Sequence, residues 1–469
     1  MEDNFADRDR ELALLDGLWM KKPAQLVVAY GRRRIGKTAL LDYFAKRRKL
    51  LHWIAYRSTS HELLSSFSQA CYAFLHPGEP TPPDFTYGSW RVALDTLALH
   101  AEKQRVGIVI DEFPYLIEAD PSIPSLLQAE WDKKLSRTRI FLALSGSRMG
   151  MMRDQILAPR GPLYGRSTAL LHLEAIPITA LHEFFPRFSP VALVEAYAVT
   201  GGVPKYFEWL HPHQPVLKSV ETALHEQTTF LTAEPEFLLH EEFRETRIYL
   251  AILRTLGRRA LEASAIAQVC GIDSKVLSRY LDQLMALKFV ERRVPADQDP
   301  RKSRKGRYGI RDEFLSFFFH FIAPHLPDIE RGRLQHVIRM LRKGFDAYVG
   351  RAVFERLCQD WVARQADAER LSFTPTAVGP YWDRTMQIDV LGISARERAM
   401  LVGECKWTPH PVGVEVADAL LTKAKRLTAA NDYHAQLMLF SRSGFTPALR
   451  EAARKKHYQL VSLPELLKH

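Results

Sequence analysis

One stretch near the amino terminus constrains the fold of this chain more than any other. An apolar run at residues 26–30 has the composition of a buried strand, and it leads into a loop that ends in glycine, lysine and threonine. The loop consists of Gly31, Arg32, Arg33, Arg34, Ile35, Gly36, Lys37 and Thr38. A helix is expected to begin near Thr38, and helical spacing in residues 5–14 predicts a short helix before the strand. A strand, a glycine loop of this spacing and a helix, in that order, predict a phosphate-binding P-loop.

The residues of this loop suit a nucleoside triphosphate. Its glycines let the backbone curl so that N–H groups face phosphate oxygens, and the helix N-terminus adds a positive dipole end. Lys37 can reach the β- and γ-phosphates, while the hydroxyl of Thr38 can ligate Mg²⁺. ATP and Mg²⁺ are therefore the predicted cofactors.

Two further buried strands end in polar side chains. Residues 107–110 lead to Asp111 and Glu112, and residues 140–144 lead to Ser145 and Ser147. Strands that alternate with helices predict a parallel sheet, which binds ligands at the carboxyl ends of its strands. We expect Asp111 to hold Mg²⁺ and Glu112 to orient or deprotonate the attacking water. Ser147 or Ser145 is a candidate sensor of the γ-phosphate, although serine also occurs at strand ends for turn formation alone.

These motifs resemble the archaeal-type ATPases of the AAA+/STAND group, relatives of the origin-recognition ATPases. Besides the segments above, the resemblance rests on Phe5-x-x-Arg8-x-x-Glu11, Leu163-Tyr164-Gly165-Arg166 and Gly201-Gly202-Val203-Pro204-Lys205-Tyr206. It implies a nucleotide core and a helical lid whose Gly-Gly-Val-Pro turn contacts nucleotide. It also implies an arginine finger at Arg166, with Arg160 as a rival and a solvated loop arginine as the alternative. A finger that acts in trans would require self-association.

The charge of the chain indicates an acidic partner. The 469 residues carry a formal net charge of +11 and a pI of about 9.4, which favours nucleic acid over a membrane surface. The longest apolar stretch, residues 314–326, is interrupted by polar residues and is too short to span a bilayer. The amino terminus lacks a signal-peptide pattern, and the four scattered cysteines fit a reducing compartment. We therefore expect a cytoplasmic protein that acts on DNA.

A middle region has the pattern of a winged helix. Residues 263–269, a turn, and residues 274–287 read as helix-turn-helix, and residues 289–294 and 306–310 read as a hairpin. Asp273 or Ser274 is the expected N-cap of the second helix. Lys275, Arg279 and Lys288 lie on or just after this helix. The hairpin tip contains five basic residues, namely Arg301, Lys302, Arg304, Lys305 and Arg307. Phosphate contact is the favoured interpretation, and a packing module or a plain solvated surface is the alternative.

The last region combines carboxylates and a lysine on adjacent strands. A helix is expected at residues 345–361, followed by strands near 386–391 and 399–404 and a final strand at 436–441. Asp389 lies in the first of these strands, and Glu404 and Lys406 share a face of the next. Metal-assisted phosphodiester cleavage needs two carboxylates and a group near the attacking water. Asp389 and Glu404 are the candidate metal ligands, Lys406 positions the water, and Glu355 on the preceding helix completes the shell. This spacing resembles the PD-(D/E)xK restriction-endonuclease-like superfamily, although Ile388 stands where that pattern has proline.

The sequence thus predicts an α/β protein of four parts. They are a P-loop ATPase core of the AAA+ type (residues 1–174), a helical lid (175–240), a winged helix (241–335) and a nuclease-like α/β domain (336–469). The predicted function is an ATPase that acts on DNA, with its ATP state controlling the winged helix and a metal-dependent nuclease-like domain. The alternative is a nucleotide-dependent switch whose last domain is catalytically inactive.

Overall fold

Strands alternate with helices near both ends of the chain, and a long helical region separates them. The structure, a computed structural model, describes residues 7–226, 229–429 and 433–468. Phe5 of the predicted opening motif lies outside these residues. One compact unit contains the chain up to Ile176 together with Val203–Lys205, and the other contains Pro177–Gly202 and the chain from Tyr206 onward. Within the described residues, no helix has both the length and the apolar character needed to cross a membrane.

The first unit is built on a five-stranded parallel sheet. Its strands are β1 (Gln25–Tyr30), β2 (Leu51–Ile54), β3 (Val106–Asp111), β4 (Ile140–Gly146) and β5 (Ala169–His172). The strand order is β2-β3-β4-β1-β5, and β1 pairs with β4 in the register Tyr30 to Gly146. Strands β3 and β4 are buried along their whole length, as their continuous apolar sequences predict for a sheet covered on both faces.

Helices cover this sheet on both sides. They are α1 (Asp9–Trp19), α2 (Lys37–Arg48), α3 (Ser60–Leu75), α4 (Trp90–Lys103), α5 (Phe113–Ala119), α6 (Ile123–Lys133) and α7 (Met149–Met152). One apolar core packs against α3 and α4 and includes Phe67 and Trp90; the other packs against α1 and α2 and includes Phe44 and Phe141. The predicted short helix before the first strand is confirmed as α1.

The second unit begins with helices and a small hairpin. The helices are α8 (Leu181–Phe184), α9 (Pro190–Thr200), α10 (Val216–His225), α11 (Thr229–Glu242), α12 (Arg247–Leu256), α13 (Ala263–Cys270) and α14 (Ser274–Ala286). Strands β6 (Val290–Arg293) and β7 (Arg307–Ile310) pair antiparallel, and Leu261 bridges to Tyr308 beside them. The side chain of Asp273 accepts a hydrogen bond from the Lys275 amide, so the predicted cap of α14 is confirmed.

A second five-stranded sheet lies in the last third of the chain. Its strands are β8 (Ala377–Trp382), β9 (Gln387–Ser394), β10 (Ala399–Lys406), β11 (His434–Ser441) and β12 (Gln459–Ser462). The order is β12-β11-β10-β9-β8, with β10, β11 and β12 parallel and β8 and β9 antiparallel to their neighbours. The helices around it are α15 (Glu313–Phe317), α16 (Leu326–Glu330), α17 (Leu334–Val349), α18 (Glu355–Asp367), α19 (Val414–Ala429), α20 (Pro447–Lys456) and α21 (Leu463–Leu466).

Three local predictions need correction. The helix expected at residues 345–361 is instead α17 and α18, joined by the π-helical turn Gly350–Phe354, so the predicted boundary at residue 336 falls inside α17. The strand expected at residues 436–441 is not the last one, because β12 follows it. Strand β8 escaped prediction because it is an edge strand that contains Pro380, which weakens the sequence pattern of a strand.

Candidate functional site

The loop between β1 and α2 has the backbone that its glycines predict. Gly36 has φ +93° and precedes α2 directly. A Cβ atom on Gly31 would lie 2.3 Å from the carbonyl oxygen of Leu173, so only glycine fits there. Arg34 also adopts a positive φ, +71°, which is uncommon for a residue with a side chain. Arg32, Arg33 and Arg34 are half-buried, whereas Thr38 is exposed at the start of α2.

Two cationic side chains hold this loop in shape. Lys37 is only 5% exposed, and its Nζ donates to the carbonyl oxygens of Gly31 and Arg32, each at 2.9 Å. Arg8 is buried behind the loop and donates to the carbonyl oxygens of Ile35 (3.1 Å) and Glu174 (2.8 Å). Arg8 therefore ties the segment before α1 to the P-loop, a contact that spacing alone does not reveal.

Asp111 lies at the carboxyl end of β3 with no solvent exposure. Burial opposes its ionisation, but the side chains of His52, Ser145 and Thr38 and the Glu112 amide outweigh it and lower the pKa of Asp111 to about 2. Its Oδ2 accepts no hydrogen bond from the described residues, and the Nε2 of His52 lies 3.7 Å away. A buried, ionised carboxylate beside the Thr38 hydroxyl is the oxygen donor set that Mg²⁺ prefers.

Glu112 and Ser147 meet beside Asp111. The Oγ of Ser147 donates to Glu112 Oε2 at 2.9 Å, and Ser147 is 6% exposed just beyond β4. Glu112 has φ +51°, a left-handed backbone that costs a residue with a side chain about 1–2 kcal/mol. The fold holds Glu112 in this conformation at the strand end, which is typical of functional positions. Because β4 lies between β1 and β3, the strand ends that carry Ser147, the P-loop and Asp111 are neighbours.

His52 is a neighbour of this cluster that sequence reasoning missed. It lies on β2, a strand of four residues that is too short to show a clear period. Burial opposes its protonation, but Asp111 and Asp42 outweigh that effect and raise the pKa of His52. The sequence signal that could have identified His52 is its position within an apolar run next to the predicted sheet.

The two candidate arginine fingers differ in their surroundings. Arg166 forms a two-pronged ion pair with Asp132, with Nε–Oδ1 at 2.8 Å and Nη2–Oδ2 at 2.7 Å. It also donates to the carbonyl oxygen of Pro162. Arg160 is exposed and forms no ion pair within the described residues. Both arginines lie after α7, and both stay candidates for the arginine finger.

The hairpin tip in the second unit is basic but not loose. Arg292 donates to the carbonyl oxygens of Pro300 (2.7 Å) and Ser303 (2.6 Å), which braces the loop from inside. The Ala296 amide donates to the carbonyl oxygen of Pro380 on β8, so the loop also rests on the second sheet. Seven of the eight predicted phosphate-contacting cations, including Lys288, are exposed, and one, Arg307, is half-buried. The exposed ones on the tip are Arg301, Lys302, Arg304 and Lys305. Lys275 and Arg279 on α14 are exposed as well.

The structure brings the carboxylates of the last region together. Asp389 on β9 and Glu404 on β10 are opposite each other in the antiparallel register, which pairs Val390 with Gly403 one step away. Asp389 Oδ2 accepts from the Cys405 amide at 2.9 Å. Glu404 Oε1 accepts from Lys406 at 2.8 Å, and Oε2 accepts from Lys423 on α19, also at 2.8 Å. Lys423 belongs to this cluster although it was absent from the predicted set.

The carboxylates of this cluster repel one another. Burial and the charge of Glu404 raise the pKa of Asp389 to about 6. Burial and the charge of Asp389 raise the pKa of Glu355, at the start of α18, to about 8. Burial also disfavours ionised Glu404, but Lys406 and Lys423 outweigh it and lower its pKa. Carboxyls that repel one another in this way are stabilised by a cation placed between them.

These residues fit a metal ion only in part. Glu355, Asp389 and Glu404 are near enough to influence one another, and carboxylate oxygens suit Mg²⁺. Over residues 7–226, 229–429 and 433–468, however, no group of three or more His, Cys, Asp or Glu side chains is arranged to hold a metal. Both oxygens of Glu404 are engaged by lysines. The assignment of Glu355, Asp389 and Glu404 as ligands stays a prediction.

Comparison with known proteins adds a family to this geometry. Residues 5–210 match a family described as an ATPase domain predominantly from Archaea, and residues 318–419 match one described as archaeal and bacterial proteins of unknown function. An uncharacterized protein of Methanocaldococcus jannaschii, MJECL04, is 30% identical over 403 residues, which are 86% of this chain and 87% of that protein. An uncharacterized ATP-binding protein of the same organism, MJ0423, is 41% identical over 46 residues, 10% of this chain and 78% of its own length.

A solved structure shares the fold. The Walker-type ATPase PABY2304 of Pyrococcus abyssi superposes with a TM-score of 0.52 at 20% identity, covering 68% of this chain and 97% of that one. The match of residues 5–210 to the archaeal ATPase domain confirms the prediction of a P-loop ATPase of archaeal type, whereas the winged-helix and nuclease-like assignments stay predictions. The chain belongs to the same family as the methanococcal protein MJECL04, and it carries the ATPase domain found predominantly in Archaea.

Proposed function

We propose that this protein hydrolyses ATP with Mg²⁺ and that its nucleotide state controls its action on DNA. The observation that supports this most strongly is the carboxyl edge of the first sheet, where ionised Asp111 and the Glu112–Ser147 pair adjoin the P-loop strand. A P-loop can serve nucleotide binding alone. A carboxylate that is anchored by a serine and held in a strained backbone adds the group that hydrolysis requires.

Each residue has a distinct task in this proposal. The amides of residues 31–36 and the ammonium group of Lys37 bind the phosphates, and Thr38 and Asp111 hold Mg²⁺. The bound ion would neutralise charge on the phosphate oxygens. Glu112 orients the attacking water and accepts its proton, and Ser147 keeps the carboxylate of Glu112 in position.

Two substitutions separate binding from hydrolysis. Glu112→Gln should retain ATP but release phosphate at least about 100-fold more slowly, since a positioned base contributes that much or more. Lys37→Ala should weaken ATP binding itself. Glu102→Gln and Lys103→Ala, on exposed positions of α4, are the matched controls and should leave both properties intact. Normal phosphate release by Glu112→Gln would contradict the assignment.

We further propose that an arginine finger acts between copies of the chain. Arg166 is the first candidate and exposed Arg160 the second. Arg166→Ala protein lacks the finger and Glu112→Gln protein lacks the base, so a mixture of the two should hydrolyse ATP faster than either alone. Recovery with Arg160→Ala in place of Arg166→Ala would move the role to Arg160. A mixture with no gain in either pairing would rule out a finger in trans.

The next two parts of the chain are proposed as a helical lid (residues 175–240) and a winged helix (241–335). Helices α12 to α14, the β6–β7 hairpin and the Leu261–Tyr308 bridge support the second assignment. Helix α14 would lie in the major groove, and the basic tip would contact phosphates. The lid is proposed from the family resemblance. Its Gly201 and Gly202 both adopt positive φ at the end of α9.

Residues 336–469 are proposed as a PD-(D/E)xK nuclease-like domain. Asp389 and Glu404 on paired strands, with Glu355 nearby and Lys406 bonded to Glu404, support this assignment. The assay is cleavage of supercoiled, linear and single-stranded DNA with Mg²⁺ or Mn²⁺, with and without ATP. Asp389→Ala should abolish cleavage and keep ATP hydrolysis, while Asp367→Ala, at an exposed position, should keep both. Cleavage that survives Asp389→Ala would refute a nuclease at this site.

A second candidate function has an observation in its favour. Two lysines occupy both oxygens of Glu404, an arrangement that suits a binding domain without metal chemistry. The protein would then be a nucleotide-dependent switch. No cleavage of any DNA, together with DNA affinity that changes between ATP and ADP, would support this function. DNA affinity that ignores the nucleotide would count against it.

A further inference from the structure

A cavity of about 370 Å³ lies in the second unit, and its lining shares one residue, Arg307, with the cations assigned above to DNA contact. The β6–β7 hairpin forms one wall, and the helix that continues from α17 into α18 forms another. The segment after α12 closes a third side with Arg258 and Arg259. Gly257 positions this segment, because a Cβ there would lie 2.5 Å from the carbonyl oxygen of Phe319.

The lining of this cavity is strongly basic. It contains seven arginines and three glutamates, an excess of four positive charges. At its floor, Arg356 pairs with Glu313 (2.7 Å) and Glu291 (3.0 Å). Arg293 also donates to Glu291, through Nε at 2.6 Å. Two of the three carboxylates are therefore already neutralised by arginines of the floor.

The remaining arginines have no such partner. Five lining arginines form no ion pair with a carboxylate of the described parts of the chain. They are Arg258, Arg259, Arg307, Arg311 and Arg351. Four of the five are exposed, so their guanidinium groups are accessible at the rim. The fifth, Arg307, is half-buried with its guanidinium over the ring of Trp382 at 4.9 Å. Positive charges that outnumber the carboxylates around a concave site repel one another, and a bound anion relieves that repulsion.

The cavity adjoins the carboxylate cluster. Glu355, its third carboxylate, is the same residue that repels Asp389. Gln387 also lines the cavity and is two residues from Asp389 on β9, so the two side chains share one face of the strand. A chain of phosphates that filled the cavity would extend toward Asp389.

We propose that this cavity binds phosphate groups of a single nucleic-acid strand and directs the strand to the Glu355–Asp389–Glu404 cluster. Guanidinium groups bind phosphate oxygens in pairs of parallel hydrogen bonds, and this cavity offers several at once. Its volume lies in the range of sites that hold one small ligand, which matches one nucleotide unit rather than a duplex. The inference rests on the proposed nucleic-acid function of this region, but it concerns binding and does not require cleavage.

The test measures strand binding by the full chain in EDTA without added nucleotide. The probe is a fluorescent DNA strand of about ten nucleotides, followed by anisotropy. The double variant Arg258→Ala/Arg259→Ala should bind it about tenfold more weakly near 0.1 M salt. The slope of log affinity against log salt should become shallower by about 1.4, the value for two lost phosphate contacts on a single strand.

The control and the alternatives use the same assay. Arg331→Ala/Arg333→Ala removes two exposed arginines outside the cavity lining and should leave affinity and slope unchanged. Arg258→Lys/Arg259→Lys should recover part of the affinity, since charge remains. Equal binding by wild type and Arg258→Ala/Arg259→Ala would overturn the proposal. Inorganic phosphate that binds at this site while the strand does not would overturn the strand as its occupant. EDTA prevents cleavage, so this assay measures binding alone. A protein that binds the strand in EDTA but does not cut DNA with Mg²⁺ or Mn²⁺ would refute the proposed nuclease and leave the proposed binding site intact.

Discussion

Replacing Ser147 by alanine removes one hydrogen bond from the carboxylate that is proposed to orient water. The bond runs from Ser147 Oγ to Glu112 Oε2 at 2.9 Å and has an ionised acceptor. Hydrogen bonds to charged groups contribute about 1.5–3 kcal/mol, and the half-buried position of Glu112 places this one near the lower end. A loss of about 1.4 kcal/mol in the transition state corresponds to a tenfold fall in kcat.

The fall should be confined to kcat. Ser147 donates to Glu112, whereas the ammonium group of Lys37 donates to carbonyl oxygens of the P-loop, so the KM for ATP should stay close to that of the wild type. Steady-state phosphate release over a range of ATP concentrations measures both quantities. If Ser147 acts through Glu112, the substitution should have almost no effect in a Glu112→Gln background, because the group that it positions is already lost.

A buried serine whose hydrogen bonds do not involve Glu112 provides the matched control. Ser68 on α3 is fully buried; its hydroxyl donates to the Leu64 carbonyl and accepts from the Tyr87 amide, so Ser68→Ala removes buried hydrogen bonds in the same unit without touching Glu112. It should lower the free energy of unfolding by about 1–3 kcal/mol and leave kcat unchanged. An unchanged kcat in Ser147→Ala, or a rise in KM alone, would refute the positioning role. The positioning role would also be refuted if Ser147→Ala lowered kcat by the same factor in the Glu112→Gln background as in the wild type.

Three other perturbations follow from the structure. Arg8→Ala leaves two carbonyl acceptors behind the P-loop unpaired and should lower the free energy of unfolding by about 2 kcal/mol, as measured by urea titration against exposed Arg10→Ala. The pKa of Glu355 is raised to about 8, so the folded state holds the proton of this carboxyl more tightly than the unfolded state does. The free energy of unfolding of the wild type should therefore fall, relative to that of Glu355→Gln, as the pH rises from about 4.5 to about 8. The difference should be on the order of 2 kcal/mol in EDTA and smaller with Mn²⁺, and parallel pH curves would contradict it. Neutralising the four exposed cations of the hairpin tip should make the salt dependence of duplex DNA affinity shallower by about one unit per lost phosphate contact, whereas an unchanged slope would show that they are only solvated.

Much of the first site could be predicted because its signals are local. Glycine spacing sets the loop backbone, and an apolar run that ends in Asp111 and Glu112 is a strand end in almost any arrangement. Short elements were less accessible. Strand β2, which carries His52, has four residues and shows no clear alternation of apolar and polar positions. Lys423 was missed because nothing in a helix sequence indicates which strand the helix will cover.

The sequence by itself determined the chemistry that each segment offers: the phosphate loop, the carboxylates at strand ends and the basic hairpin tip. These properties depend on residue type and on spacing within one element, which local backbone geometry dictates. Only the tertiary structure decided the partners. The Ser147–Glu112 bond exists because β4 is placed beside β3. Likewise, five arginines from distant segments surround one cavity because packing, and not spacing, brings the hairpin, α17 and the end of α12 together. Contacts across strands and helices follow from the order in which elements pack, and that order minimises exposed apolar surface over the whole unit rather than over any one segment.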